Sequence, residues 1–174
     1  MTAMAESEGR DHAGIVETML LPDEAATARV AAALAAEPAL RQAVVELHGE
    51  LGAGKTTLVR HLLRALGVAG RIKSPTYAVV EPYEVAGLAI WHFDFYRLDD
   101  PREWEDAGFR DIFASPGLKL AEWPEKAAGF LPRADLVLTL TVQDDDSRVL
   151  TLQGQTAIGR RLCQRASASG SGLP

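Results

Sequence analysis

Residues 49–56 read Gly49-Glu50-Leu51-Gly52-Ala53-Gly54-Lys55-Thr56, a complete G-x-x-x-x-G-K-[ST] pattern. Its glycines open backbone conformations that other residues avoid, so successive N–H groups can turn inward onto phosphate oxygens, and a helix that follows adds the positive end of its dipole. A lysine at this spacing reaches β- and γ-phosphates, and the hydroxyl after it sits on Mg²⁺. The chemistry is nucleotide-phosphate binding, with Gly52, Ala53, Gly54, Lys55, Thr56 and Thr57 as contacts. A chain of this length matches the pattern by accident roughly 0.6% of the time.

A magnesium nucleotide site also needs a carboxylate at a strand end near the loop. Two acids qualify. Along residues 88–95, alternation puts Ile90, His92 and Asp94 on one face and Trp91, Phe93 and Phe95 on the other. In residues 118–122 an acid, Glu122, closes a short apolar run, where open α/β sheets place their ligand crevices. We assign the metal side to Thr56 and Glu122, and let Asp94 orient magnesium-bound or attacking water. Lys55, Asp94 and Glu122 are then the catalytic group. Trp123 either covers the nucleotide or fills the core, the commoner role for an aromatic; it is counted with the nucleotide contacts. His92 and Tyr96 read as satisfied, buried side chains.

The elements that must position these groups follow from pattern. Residues 42–47 form an apolar strand running into the glycine loop, and residues 55–66 carry Leu58, Leu62 and Leu66 at helical spacing before Gly67. Strand, loop and helix supply the context the motif requires. Upstream, residues 15–21 read as a strand, Asp23 as a helix cap, and the alanine-rich stretch to about residue 37 as a helix stopped by Pro38. Downstream, residues 77–83 and 88–95 read as a hairpin turning at Gly87, residues 100–107 as a short helix, and 118–122, 135–143 and 148–153 as strands. A hairpin beside a strand–helix unit predicts a mixed sheet. The expected fold is a P-loop NTPase three-layer α/β sandwich with parallel and antiparallel strands, occupying residues 14–154. Residues 1–13 are an extension with little to bury, and residues 155–174 a C-terminal segment whose Ser/Gly/Ala-rich end, from Ala166, has linker composition.

Composition narrows the function classes. The chain has 174 residues, 47% hydrophobic and 24% charged, one domain's worth of core. Its net charge of −6 argues against a free-standing nucleic-acid binder. Arg60, Arg64, Arg71 and Lys73 form the one basic cluster near the loop helix, which reads first as a solvated face. Cys163 is the only cysteine, so no disulfide framework or zinc spacing exists. Without a signal peptide or an apolar run approaching 18 residues, a soluble, cytoplasmic chain with no membrane partner is expected.

No asparagine occurs in the sequence, which removes the N-K-x-D guanine reader and makes ATP the default nucleotide. Residues 111–134 offer only Arg133 and two lysines where small kinases carry an arginine-bearing lid. Four linked motifs then become specific: GELGAGKTT at 49–57, KSPT at 73–76, HFDFYR at 92–97 and EWPE at 122–125. In order and spacing they resemble the TsaE (YjeE) family, the ATPase component of the bacterial machinery for threonylcarbamoyladenosine in tRNA. The resemblance covers roughly residues 20–152.

It implies a small mixed-sheet P-loop ATPase, weak alone, using ATP and Mg²⁺. Such proteins associate with TsaB and TsaD, where TsaD modifies adenosine 37 of tRNAs reading ANN codons, so tRNA is met indirectly through the complex. Thr56 and Glu122 match the family's magnesium positions, Asp94 its strand acid, and Ser74-Pro75-Thr76 a switch-like segment. Glu24 aligns with a nucleotide-base contact and Arg148 with a late basic one, while His48 stands where relatives often carry an aromatic. Two other functions fit the loop alone: a small-molecule P-loop kinase, and a nucleotide-gated interaction module with negligible turnover.

Overall fold

The computed structural model describes residues 14–75 and 77–170. Its strands are β1 (Ile15–Leu21), β2 (Val44–His48), β3 (Val80–Val85), β4 (Leu88–Asp94), β5 (Leu118–Glu122), β6 (Leu136–Val142) and β7 (Arg148–Gly154). They join in one sheet of order β1-β7-β6-β2-β5-β4-β3. The central β2 runs parallel to both β5 and β6, and β4 runs parallel to β5. The pairs β1·β7, β6·β7 and β3·β4 are antiparallel. The expected mixed sheet is the one observed. Every residue of β5 is buried, as a parallel strand covered on both faces must be.

Among the described residues, five α-helices flank the sheet: α1 (Glu24–Ala36), α2 (Lys55–Ala65), α3 (Pro101–Asp106), α4 (Phe109–Ala114) and α5 (Ala157–Gly170). The Asp23 carboxylate caps α1 by accepting from Ala26 N–H at 2.9 Å, and Pro38 opens the 3-10 turn that follows it. α1, α2 and α5 cover one face, where Val30, Leu34, Leu58, Leu62 and Leu162 pack against Val45, Leu120 and Leu150. The other layer is small. It sits over the β4–β5 end, where Phe93, Phe95, Trp104 and Phe109 form an aromatic cluster, with Phe93 and Phe109 edge to face at 5.3 Å. Each such ring contributes about 1.5–3 kcal/mol of burial, which anchors β4 from below while its far end faces the loop.

Three readings change. The strand expected from Tyr77 begins at Val80, because Val79 adopts a positive φ of 64° that breaks the extended run. The hairpin itself turns as expected, through Ala86 and Gly87, both at positive φ. α4 was not anticipated; it follows a glycine, Gly108, rather than a capping side chain. The third change concerns the C-terminal end, for the stretch read as a linker from Ala166 is helix to Gly170, and Ala166 is buried. Small residues suit a helix that lies close to the sheet. The extension expected at 1–13 and the last four tail residues, 171–174, lie outside the described residues.

α5 is fastened by one acid. Asp135 accepts from Val44 N–H at 2.8 Å and from the Thr156 hydroxyl at 2.7 Å, and Thr156 accepts from Gly159 N–H at 3.2 Å. Gly159 lets the helix approach so closely that a Cβ there would lie 1.7 Å from the Asp135 carbonyl oxygen and 2.9 Å from Gly154 Cα. In an open helix, alanine is favoured over glycine by about 1 kcal/mol. Here the sign reverses: Gly159→Ala is expected to lower the free energy of unfolding by about 2–3 kcal/mol, read from urea denaturation. A variant as stable as the parent would show that α5 is not held at this contact.

Candidate functional site

Three parallel strands end at one place. In register, Leu47 of β2 stands beside Glu122 of β5, which stands beside Asp94 of β4. The glycine loop leaves β2 immediately after His48 and enters α2 at Lys55. Gly54 occupies the helix cap at φ 107°, and no side chain caps the first turn. Gly52 sits at φ 81°. A Cβ at Gly52 would meet nothing within 4 Å, so the glycine is needed for its backbone angle rather than for space.

The resulting cleft has a volume of about 430 Å³. It is lined by the loop residues Gly52, Ala53, Gly54, Lys55, Thr56 and Thr57 and, across from them, by Asp94, Glu122, Trp123 and Arg148. Glu24 stands apart, in a smaller adjoining pocket of about 130 Å³ that shares Ala53, Gly54, Thr57 and Arg148 with the first. There the Glu24 carboxylate is 2.9 Å from His61 Nε2. Arg148 stands at the junction, its Nε donating to the Ala53 carbonyl at 3.4 Å and its Nη1 to the Asp146 carbonyl at 2.7 Å.

At the cleft floor, Glu122 is 1% exposed. The Thr56 hydroxyl donates to its Oε1 at 2.8 Å, with Oε2 at 3.1 Å, and His92 Nε2 lies in hydrogen-bond contact with Oε2 at 2.5 Å, as donor where the carboxylate is ionised. Lys55 is 5% exposed. Its ammonium donates to the Gly49 and Glu50 carbonyls, the latter at 3.0 Å, and lies 4.2 Å from the centre of the Trp123 ring. Burial lowers the Lys55 pKa, opposed by the negative charges of Glu122, Glu125, Asp94 and Glu50. Burial raises that of Asp94, opposed by the Tyr96 N–H that donates to its Oδ1 at 3.0 Å.

Several lining residues have no place among the expected nucleotide contacts, although Ser74 belongs to the switch-like segment and Tyr96 and Arg97 to the HFDFYR motif. Leu51, Ser74, Tyr96 and Arg97 all face the cleft. Tyr96, expected to be buried, is 45% exposed and packs on Trp123 at 5.0 Å between ring centres. Its signal was present: it follows Asp94 by two residues, in the bend where β4 has ended. Trp123 itself has a left-handed backbone, φ 54°, which turns the ring toward Lys55 although it also borders the aromatic cluster. Ser74 lines the cleft while Thr76 lies outside the described residues. Arg60, Arg64, Arg71 and Lys73 are exposed, and Arg64 donates to the Val68 carbonyl beyond the end of α2 at 3.0 Å.

The donor set fits a phosphate chain with a hard divalent cation. Glycine-shaped backbone, a lysine and an uncapped helix start face the same cleft as a hydroxyl and a carboxylate. Mg²⁺ takes oxygen ligands and is commonly held by one or two protein groups together with substrate phosphates, a set that Thr56 and Glu122 fit.

Fold and loop together define a P-loop NTPase fold. A family model for the threonylcarbamoyl adenosine biosynthesis protein TsaE matches residues 21–151. The tRNA threonylcarbamoyladenosine biosynthesis protein TsaE of Haemophilus influenzae is 48% identical over 119 residues, 68% of this chain and 75% of that relative. Its Bacillus subtilis counterpart is 35% identical over 127 residues, 71% of this chain and 77% of the relative. The crystal structure of Bacillus subtilis YdiB superposes with a TM-score of 0.72 at 25% identity, over 92% of this chain and 100% of that one. The chain belongs to the TsaE family.

The raised Asp94 pKa means that the folded state favours the protonated carboxyl. Stability is then lost as pH rises from the unfolded-state value through the folded-state value. Asp94→Asn retains an acceptor for Tyr96 N–H and removes the charge. It is expected to raise the free energy of unfolding at pH 7 by up to about 1 kcal/mol, with no gain at pH 3, where the parent is already protonated. Equal stability of the two proteins at both pH values would exclude this cost.

Proposed function

We propose that this chain binds MgATP and hydrolyses it to ADP and phosphate as the ATPase of tRNA threonylcarbamoyladenosine biosynthesis. It acts in the cytoplasm with the TsaB–TsaD pair on adenosine 37 of tRNAs reading ANN codons. The observation that carries the reading is the meeting of Thr56 with Glu122 at 2.8 Å on the floor of the glycine-loop cleft. Residues 66 apart in sequence supply the two protein ligands that a phosphate-bound magnesium ion requires. The match of residues 21–151 to a family named for this pathway supplies the context.

In this reading the loop amides and Lys55 hold the phosphates, while Thr56 and Glu122 hold Mg²⁺. The ion supplies charge neutralisation on the phosphate oxygens. Glu24 and Arg148, facing the adjoining pocket, are the base-side contacts, and Trp123 closes over the phosphate side next to Lys55. Asp94 lies across the cleft from the loop and orients the water that attacks the γ-phosphate in line. Burial lowers the Lys55 pKa, while its four acidic neighbours, and a bound phosphate chain beside them, favour the charged form.

Slow turnover by the isolated chain is expected. Of the arginines in the cleft, Arg97 is stacked over Tyr77 at 4.5 Å and Arg148 is bonded to two backbone carbonyls. Neither stands ready as an arginine finger, and a partner completes the site. No helix among the described residues is long and apolar enough to cross a membrane.

The test is reconstitution of tRNA modification with purified TsaB and TsaD, with and without this chain and MgATP. Multiple-turnover modification is expected only with both, with free phosphate as the product. Lys55→Ala and Thr56→Ala are each expected to lower phosphate release by about 10²–10³-fold. Modification that proceeds equally without this protein would overturn the assignment, and phosphate retained on a metabolite would point to a kinase.

A further inference from the structure

The two donors to Glu122 differ in kind. Thr56 lines the cleft; His92 does not. The imidazole is 1% exposed, on the same face of β4 as Asp94 and beneath it. Its Nε2 is 2.5 Å from Glu122 Oε2, and Nδ1 is buried with no hydrogen-bond partner. In the tautomer with its proton on Nε2, the ring's one donor is directed at one carboxylate oxygen, and the Nδ1 acceptor has no partner.

Packing does not explain the residue. On this face of the sheet His92 stands in register between Leu120 of β5 and the half-buried Glu81 of β3, and of its neighbours Ile90, on the same strand, and Leu120 are fully buried hydrophobics, while neither of its ring nitrogens bonds to Glu81. An apolar side chain would fill the space without leaving a buried nitrogen unpaired, which costs about 1–3 kcal/mol. Something must offset that cost. Glu122 is a buried carboxylate at the end of a strand, free to turn about its last torsion unless both oxygens are engaged. Thr56 spans the pair at 2.8 and 3.1 Å and so does not by itself distinguish the oxygens. His92 bonds one of them only.

We propose that His92 is a positioning residue for the metal-side carboxylate: by holding Oε2 from beneath the cleft, it leaves Oε1 turned toward Thr56 and the cation. The proposal rests on the reading of Thr56 and Glu122 as the magnesium side. Partners that orient a ligand in this way commonly govern metal affinity as strongly as a ligand does.

The experiment compares the full chain with His92→Ala, His92→Gln and His92→Asn. Affinity for a fluorescent, mant-labelled ADP is measured in excess EDTA and across a Mg²⁺ titration, with thermal unfolding followed in parallel. The parent is expected to bind more tightly as Mg²⁺ is added. His92→Ala is expected to move the Mg²⁺ midpoint upward by about 10–100-fold while changing affinity in EDTA by less than about threefold. Gln carries its amide nitrogen near the position of Nε2 and is expected to restore most of the response. Asn places its nitrogen near Nδ1 and is not.

A Mg²⁺ midpoint unchanged in His92→Ala overturns the proposal, as does a loss equal in EDTA and in Mg²⁺, which a merely structural role would produce. If His92→Ala does not fold, the Gln and Asn variants decide, and equal midpoints for those two overturn it. A parent protein indifferent to Mg²⁺ overturns the magnesium reading of Thr56 and Glu122, and this inference with it. That failure is distinct, because it is visible before any variant is made.

Discussion

A carboxylate buried at the end of a strand is tolerable only when its oxygens are met by donors, and Glu122 is where this protein satisfies that condition. Donors reach it from two other elements, Thr56 of α2 and His92 of β4. The backbone adds to this, since Phe95 N–H donates to the Glu122 carbonyl at 3.1 Å. The ends of β4, β5 and the glycine-loop helix are thus tied at one residue. The parallel register that sets Leu47, Glu122 and Asp94 side by side is what allows a single acid to be shared by all three.

Around that point the charges are arranged at some cost to stability. Lys55 and Asp94 are both shifted by burial toward their neutral forms, and neither is fully compensated by protein partners. Lys55 is kept by backbone carbonyls and the face of Trp123, contacts weaker than a salt bridge in a dry site. Such a cluster is poorly satisfied by the protein alone and better satisfied with phosphate and a cation beside it. Ligand binding and site stability are therefore linked.

The acidic surface is consistent with this design. A net charge of −6 argues against a free-standing nucleic-acid binder. The exposed cations near the loop helix are few, and one of them, Arg64, is occupied by a backbone carbonyl. The positive end that matters is internal, at Lys55 and the start of α2.

Much of this could be read from local pattern. The phosphate loop needs only glycine angles and the residues next to them, so 49–56 identified itself, and β1, α1 and the 86–87 hairpin turn followed from caps, periodicity and turn residues. Asp94 and Glu122 were visible as acids closing apolar strands. Other features depend on contacts between distant segments. Tyr96 and Trp123 carry aromatic side chains that a core would accept, and only the bend after β4 and the left-handed turn after β5 bring them to the cleft. The Ser/Ala-rich stretch after 165 lacks a strong apolar stripe, yet it is helical because Gly159 and Ala166 let α5 lie against the sheet near Asp135. The sequence by itself determined which loop carries the phosphate-binding pattern, because that pattern is encoded within eight adjacent residues. Which acid meets Thr56, and which imidazole stands behind it, were decided by strand order and register, since those contacts join residues 66 and 30 positions apart.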